Sequence, residues 1–595
     1  MPTGGGKSVT YQVPAMAMEG VCVVITPLIA LMKDQTDALK RKGILAAAIH
    51  SGMSPRQVDI ALDNCVYGDY KFLYISPERI DSQMFRARFG KMKVSLIAVD
   101  EAHCISQWGY DFRPSYLKIS RLREIAPDIP VLALTASATT EVVGDIMDRL
   151  GFPEPNIKRI SFARPNLSYL VRETENKPEH LMRVINNVAG SGIIYVRTRE
   201  KCEKLADFLT ENGVSADFYH GGMGYASRSL KQDNWLKGKT RIMVATNAFG
   251  MGIDKPDVRF VVHFDLADSI ETYYQEAGRA GRDGRPAYAV LLLSAKDKMN
   301  ARKRIDLDFP PADTIRRIYE AIFNHYQIGV GSGKEQVREF NVFEFCSKNR
   351  MFIPMVINSL GILQLNGYLM FTDEADHPPR VKFTVSRDDL YKIRIDKQEL
   401  DYFITVLLRS YTGIFSEFVT VNLNELAYAS GYTLDKIGDL FKRLWQLRVL
   451  NYIPGSRSSL LIFTEERLPL RDLRISQESY TLRKETAAKR LESMSSYAEN
   501  RTECRSLVIQ RYFGEDTNAQ CGKCDVCRGR DGRGKNSSHT IRERVLELLN
   551  DEERDLHGLV SQIGGDVNAV LEEIKQLTAE GKIMQSHNRL RLTKN

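Results

Sequence analysis

Long apolar runs are missing from this 595-residue sequence, and none approaches the roughly 20 residues that a membrane-crossing helix requires. No signal-peptide pattern stands at its start, so the expected setting is the cytoplasm rather than a membrane or the exterior. Cysteine is scarce. Of the nine, five are scattered singly (Cys22, Cys65, Cys104, Cys202 and Cys346), which argues against a disulfide framework and for a reducing compartment. Strong charge of one sign is lacking too. A net charge of +8 permits a polyanionic partner without requiring one. With 27% charged and 43% hydrophobic residues, the composition is that of an ordinary globular chain, long enough for roughly four domains.

What is present begins at once. Thr3-Gly4-Gly5-Gly6-Lys7-Ser8 has the ending of a phosphate-binding loop. Glycines let backbone N–H groups close on the β- and γ-phosphates of a nucleotide, and Lys7 brings a compact positive charge. Ser8 can place its hydroxyl on Mg²⁺, and the helix that follows offers its positive end to the anion. The competing reading is a glycine-rich N-terminal tail. Such a loop ordinarily follows a buried strand, whereas here the position five before Gly6, usually Gly or Ala, is Met1 itself.

From Val21 onward, short β-branched runs alternate with longer amphipathic segments. Val21–Ile25, Phe72–Ile75, Leu96–Val99 and the run 131–134 read as buried parallel strands, each followed by a polar turn. Ligands of doubly wound sheets bind at such strand ends. One of these turns is Asp100-Glu101-Ala102-His103. Its first carboxylate can hold Mg²⁺ and its second can polarise an attacking water; alone, the pair would read as solvated acids. A second α/β unit begins after Arg164-Pro165-Asn166-Leu167, with strands near 192–196, 216–220, 242–245, 260–263 and 288–293 and no phosphate loop. It carries Gln275-Glu276-Ala277-Gly278-Arg279-Ala280-Gly281-Arg282, two arginines three apart, expected on the start of a helix. They are either solvated or a finger for the γ-phosphate held by the other unit.

Between 306 and 470 the parallel pattern stops, and two helix–helix–hairpin patterns follow. The first runs from Val342 through Leu360 to a hairpin over 367–385. The second has helices near 423–427 and 437–447 and a hairpin over 450–463. Both read as winged helices, in tandem. A charged helix near 480–500 precedes Cys504-x16-Cys521-Gly522-Lys523-Cys524-Asp525-Val526-Cys527. Four thiolates at this spacing fit a closed tetrahedral Zn²⁺ site, with a redox pair as the competitor. A basic linker, 528–538, then leads to a compact winged-helix pattern over 541–592. His587, Asn588 and Arg589 stand at its hairpin tip, where they either touch a polyanionic partner or form an ordinary polar tip.

Thr3 to Ser8, Thr26-Pro27-Leu28, Asp100 to His103, Thr135 to Thr139, Thr246 to Asp254 and Gln275 to Gly284 fall in the order of superfamily 2 helicase motifs. The stretch His103 to Pro114, with Trp108, Phe112 and Arg113, resembles the aromatic-rich loop of the RecQ DNA helicases, and Tyr512-Phe513-Gly514-Glu515 with the cysteines resembles their zinc segment. That resemblance implies ATP-driven unwinding of DNA in the 3′-to-5′ direction, in recombination and repair. It implies that Thr3, Gly4, Gly5, Gly6, Lys7, Ser8, Asp100 and Gln275 bind nucleotide and Mg²⁺. Lys7, Asp100, Glu101, Arg279 and Arg282 would carry hydrolysis, and Cys504, Cys521, Cys524 and Cys527 would hold Zn²⁺. His103, Trp108, Phe112, Arg113, Thr246 and Asn247 would contact DNA or couple it to hydrolysis, since aromatic rings stack on bases and Arg reaches phosphate.

The sequence departs from the family in two ways. Residues 306–470 stand between the second motor unit and the zinc segment, which the family joins directly. The family also has a strand and an adenine-recognising motif upstream of the phosphate loop, so the start is expected to be late or the chain a fragment. The expected fold class is α/β: two RecA-like parallel-sheet motor domains, 1–162 (incomplete at its start) and 163–305. Then come a tandem winged-helix-like insertion (306–470), a helical zinc domain (471–530) and a linker with a C-terminal winged helix (531–595). The expected partners are single-stranded and duplex DNA, with a single-strand-binding protein as a further candidate and no membrane. The protein is expected to act as a monomer associated with the nucleoid. The rival class is a DNA-binding protein without motor activity.

Overall fold

The β-branched runs pair as their spacing predicts, because each is apolar on both faces and must be covered on both. The structure, a computed structural model, describes residues 5–50, 53, 55–106, 108–109, 112–250, 255–372, 379–386, 390, 398–411, 413–415, 418–453, 459–529, 538–563, 567–586 and 589–593. Thr3, Gly4, Gln107, Tyr110, Asp111, the 251–254 part of one motif, most of the 528–538 linker, and His587 and Asn588 lie outside the described residues.

The first sheet contains β1 (Val21–Ile25), β2 (Ala46–Ile49), β3 (Phe72–Ile75), β4 (Val94–Val99) and β5 (Val131–Ala133), in the order β2-β3-β1-β4-β5. The pairings β2–β3, β3–β1, β1–β4 and β4–β5 are all parallel. Its two faces feed separate cores. Val21, Val23 and Ile25 of β1 pack with Leu73 and Ile97 on one side, while Cys22 and Val24 pack with Tyr74 and Ala98 on the other. Each fully buried Val or Ile side chain contributes roughly 1.5–3 kcal/mol.

The second sheet contains β6 (Leu167–Glu173), β7 (Ser191–Tyr195), β8 (Ala216–Tyr219), β9 (Ile242–Ala245), β10 (Val258–His263) and β11 (Ala287–Leu293), in the order β6-β11-β10-β7-β9-β8. Parallel registers join β10 to β11 and β7, and β9 to β7 and β8. It also has its chemistry-bearing turns at strand ends, with Thr246 directly after β9.

Among the described residues, the two expected hairpins of the 306–470 region do not form. β13 (Leu369–Thr372) pairs with β17 (Leu460–Phe463), and β14 (Arg380–Phe383) pairs with β16 (Leu450–Ile453). The two units are therefore nested rather than tandem. Helices Ala312–His325, Val342–Asn349 and Ile353–Leu365 build an outer core with β13, β17 and β12 (Val337–Glu339). Helices Gln398–Ser410, Leu423–Ser430 and Leu434–Gln446 build an inner one with β14, β16 and β15 (Val419–Thr420). Burial decides the pairing. Leu369, Leu461 and Phe463 share the outer core with Phe323 and Leu360, whereas Val381, Phe383 and Leu450 share the inner core with Phe403 and Leu440.

The chain divides into two compact units. The first holds Met1–Leu167, Val171–Glu499 and Ile509–Asp516, and so contains both parallel sheets and the nested region; the second holds Asn500–Val508 and Thr517–Asn595, with Ser168–Leu170. Within the second, helices Ser538–Asp551, Leu556–Ile563 and Val567–Ala579 pack with an antiparallel sheet around Val545, Leu559, Ile574 and Leu590. Among the described residues, no helix is long and apolar enough to cross a membrane.

Candidate nucleotide, nucleic-acid and zinc sites

Gly6 opens the Lys7–Ala17 helix at φ 78°, a left-handed conformation that glycine adopts without strain. That turn delivers Lys7 to the carboxyl end of β4. Its Nζ lies 2.9 Å from Oε1 of Glu101 and 4.0 Å from Oδ1 of Asp100. Glu101 itself sits at φ 48°, which costs a non-glycine residue roughly 1–3 kcal/mol. Its surroundings hold it there. Its N–H donates to Oδ1 of Asp100 at 2.9 Å, and the Ala102 N–H donates to the Leu134 carbonyl at 2.8 Å. The hydroxyl of fully buried Tyr116 donates to the Asp100 carbonyl at 3.0 Å.

Burial and charge then separate the two acids. Burial pushes Asp100 up to about 6 against the pull of Lys7. Burial also opposes ionisation of Glu101, but Lys7, His103 and Arg279 outweigh it and hold Glu101 below the usual carboxylate range. Lys7 is raised: burial works against its charge, and the two carboxylates overcome that. His103, fully buried, places Nδ1 3.0 Å from the Thr135 hydroxyl and 3.3 Å from Oε2 of Glu101, tying the end of β4 to that of β5.

The arginines come from the other sheet, though not from a helix start. The Ile270–Ala277 helix, N-capped by Ser269, ends at Gly278, and Arg279 and Arg282 follow in turns. The reason is local. Gly278 and Gly281 interrupt the segment, and Gly281 takes φ 65°. Arg279 is buried, and its charge acts on Glu101 while that of Arg282 acts on Lys7. Leu28, Arg113, Asn247, Gln275 and Arg279 line a common cavity of about 600 Å³. Thr246 is buried, its N–H bonded to the Tyr219 carbonyl at 3.2 Å, and Asn247 is exposed.

The aromatic loop is not core. Trp108 is 43% exposed, and Phe112 and Arg113 are half-buried. Gly109 is buried against the His103 and Ser106 carbonyls, where a Cβ would collide. Arg113 donates from Nη1 to the Pro27 carbonyl at 3.3 Å, linking the loop to the turn after β1. Sequence reasoning missed Arg490. Its guanidinium donates to the Trp108 carbonyl, and Nε lies 3.4 Å from Oε1 of Glu271. A lone arginine on a charged helix carries no signal of that kind.

In the second unit, the sulfurs of Cys504, Cys521, Cys524 and Cys527 lie within 4.8 Å of one another. Backbone N–H groups of Cys521, Cys524 and Cys527 donate to the sulfurs of Cys504, Cys521 and Cys524 at 3.3, 3.3 and 3.4 Å, which favours thiolates. The buried Arg505 braces the cluster, with Nε 2.5 Å from Oδ1 of Asp525 and Nη2 3.0 Å from the Asn500 carbonyl. Four convergent sulfurs with these donors fit tetrahedral Zn²⁺ at Zn–S distances of about 2.3 Å. By contrast, burial pushes Cys22 and Cys65 up to about 12, leaving them unreactive.

Two parallel sheets, one with a lysine ion-paired to a strand-end acid pair and the other with two arginines, define a two-domain protein of the DEAD/DEAH helicase class. The DEAD/DEAH box helicase family matches residues 1–146, and the helicase conserved C-terminal domain matches 176–284. RecQ zinc-binding matches 469–528, and the RecQ helicase winged-helix domain of Bacteroidota matches 381–454, which coincides with the inner nested unit. The chain belongs to the RecQ family of DNA helicases. It is 46% identical over 308 residues to ATP-dependent DNA helicase RecQ of Bacillus subtilis, covering 51% of this chain and 52% of that protein. It is also 46% identical over 298 residues to the Haemophilus influenzae RecQ, covering 50% and 48%. The probable ATP-dependent DNA helicase RecS of Bacillus subtilis is 38% identical, covering 54% and 66%. The chain thus spans about half the length of the RecQ relatives it matches.

Proposed function

We propose that this chain is an ATP-driven motor that moves 3′ to 5′ along single-stranded DNA and separates duplexes, acting in recombination and repair in the cytoplasm. The observation that carries this reading is that Lys7, Asp100 and Glu101 from one sheet lie within electrostatic reach of Arg279 and Arg282 from the other. Such a set stabilises charge on a transferring phosphoryl group only when the two domains approach, so hydrolysis and domain closure become one event.

Lys7 exchanges Glu101 for the β/γ-phosphates, and Ser8 with Asp100 would hold Mg²⁺. When bound, that ion neutralises charge on the phosphate oxygens. Glu101, kept ionised, orients and deprotonates the attacking water. Arg282, with Arg279, meets the γ-phosphate from the second sheet. Arg113, Thr246 and Asn247 face the nucleic acid, whose phosphates supply most of the affinity. The cysteine cluster would hold Zn²⁺ as a structural staple.

ATP turnover with and without single-stranded DNA, and unwinding of duplexes carrying a 3′ or a 5′ tail, test the reading. Lys7→Ala should lower DNA-stimulated kcat/KM by roughly a hundredfold or more. Glu101→Gln should keep nucleotide affinity and lose about 10²–10⁴-fold in kcat. DNA binding without DNA-stimulated turnover would instead assign a binding protein without motor activity.

A further inference from the structure

The loop that bears Trp108 and the helix that leads to Arg279 are joined by one side chain. Arg490 lies on the Thr481–Glu499 helix, which belongs to neither sheet. From there its guanidinium reaches both of them. One nitrogen, Nη2, donates to the Trp108 carbonyl, in the loop that follows the Asp100–Glu101 pair. Another, Nε, lies 3.4 Å from Oε1 of Glu271, the second residue of the Ile270–Ala277 helix. Glu271 is only 3% exposed, and burial together with its charge raises the Tyr512 hydroxyl nearby. A carboxylate so buried requires a charged partner, and a planar guanidinium can serve two acceptors at once where an ammonium serves them poorly.

We propose that Arg490 is a positioning residue that transmits displacement of the Trp108 loop to the Glu271 helix and so to Arg279 and Arg282. This rests on the motor reading above. When DNA draws on the loop, the Trp108 carbonyl moves, the guanidinium follows, and its ion pair carries the movement to a helix whose C-terminus precedes Arg279. Arg490 lines the cavity that Arg113, Gln275 and Arg279 also line, and there its guanidinium is held by the Trp108 carbonyl and Glu271. Its contribution is the coupling of two sites, a quantity typically worth 5–150-fold in an equilibrium.

The test uses the full chain with Arg490→Ala, Arg490→Lys, Glu271→Gln and the double variant Arg490→Ala/Glu271→Gln. Without DNA, kcat and KM for ATP should stay within about twofold of the parent. Stimulation by single-stranded DNA should fall by about tenfold, while affinity for that DNA at fixed salt changes by less than about threefold. The double variant should be no worse than either single, and Arg490→Lys should recover only part of the loss. Amide hydrogen exchange over residues 104–109, measured without DNA, should quicken in Arg490→Ala. Undiminished stimulation in both single variants overturns the inference. So does an equal loss of basal and stimulated turnover, which marks mere support of the fold. A parent that shows no DNA stimulation removes the motor reading instead, and exchange over 104–109 then decides the bridge alone: an unchanged rate overturns it.

Discussion

Glu515 fastens the segment that runs between the two parallel sheets. One of its oxygens, Oε1, accepts the Ser161 hydroxyl at 2.5 Å, and the other accepts the Phe162 N–H at 2.9 Å. Next to it, Phe513 stacks on Phe162 with ring centroids 4.4 Å apart and meets Tyr274 at 5.3 Å, while the Tyr274 hydroxyl donates to the Phe162 carbonyl at 3.1 Å. Residues 509–516, distant in sequence, thus belong to the same compact unit as both sheets. Within the connection between the two parallel-sheet domains, Phe162 is gripped from both sides.

Removing that hold should destabilise the first unit in two separable amounts. Phe513 is 1% exposed, so Phe513→Ala removes a buried ring and should cost about 3–5 kcal/mol. Glu515→Ala loses charge-assisted hydrogen bonds, one of them to an exposed hydroxyl, and should cost only about 1–2 kcal/mol. Urea denaturation followed by circular dichroism measures both. A Glu515→Ala loss as large as that of Phe513→Ala would show that the carboxylate does more than hold the connection.

Much of this fold was legible because its strands are unusually uniform. β1, β3 and β9 are fully buried along their length, so an unbroken apolar run was a sufficient signal. β2 escaped notice because three of its four residues are alanine, which carries no β-branched signature; it forms as an edge strand against β3. β6 went unread for a related reason: it is a sheet-edge strand that ends in exposed Arg172 and Glu173. Candidate site residues could be named from the sequence, but the local backbone that carries them could not. Gln275 to Arg282 fell in the expected order, yet the glycines that made the motif recognisable are also what end the helix before the arginines. Strand pairing in the nested region was beyond reach, since β13 and β17 find each other across a separate core.

That nesting makes a geometric prediction. Thr372 and Leu460 face each other in the antiparallel register of β13 and β17, so the inner unit leaves the outer one between adjacent paired residues. Replacing residues 373–459 with a two-residue Asn-Gly turn should close β13 and β17 into an ordinary hairpin. The shortened chain should keep the outer core around Phe323, Leu360 and Phe463 and lose less than about 2 kcal/mol of its stability. Circular dichroism, a urea midpoint and basal ATP turnover report the outcome. Aggregation of the shortened chain would mean that the two cores fold as one.

Metal analysis of the purified chain should find one Zn²⁺, released in proportion to thiol modification. Cys524 is fully buried, and its N–H and sulfur both take part in the hydrogen bonds that organise the cluster. Cys524→Ser should therefore lower solubility and speed proteolysis within 500–529, while basal ATP turnover in the surviving soluble fraction stays within about threefold, because a closed thiolate site supplies folding energy rather than chemistry. A metal-free preparation as protease-resistant as the parent would refute the structural role.

Trp108 separates coupling from catalysis. Its ring is 43% exposed, so Trp108→Ala opens no core cavity and the thermal midpoint should stay within a few degrees of the parent. Its backbone carbonyl remains available to Arg490, which keeps the loop attached to the rest of the unit. What the substitution removes is a stacking face for a base, worth roughly 1–3 kcal/mol. Basal ATP turnover should be retained and duplex affinity little altered. Stimulation by single-stranded DNA and strand separation should fall together, by about tenfold, because both draw on the same stacked contact. Adding Arg490→Ala should then cost little more, since a lever with no load transmits nothing. Turnover measured with and without DNA, beside an unwinding assay on the same preparations, decides the matter. Full stimulation in Trp108→Ala would take the ring out of the coupling path and leave Phe112, Arg113 and the loop backbone as its carriers.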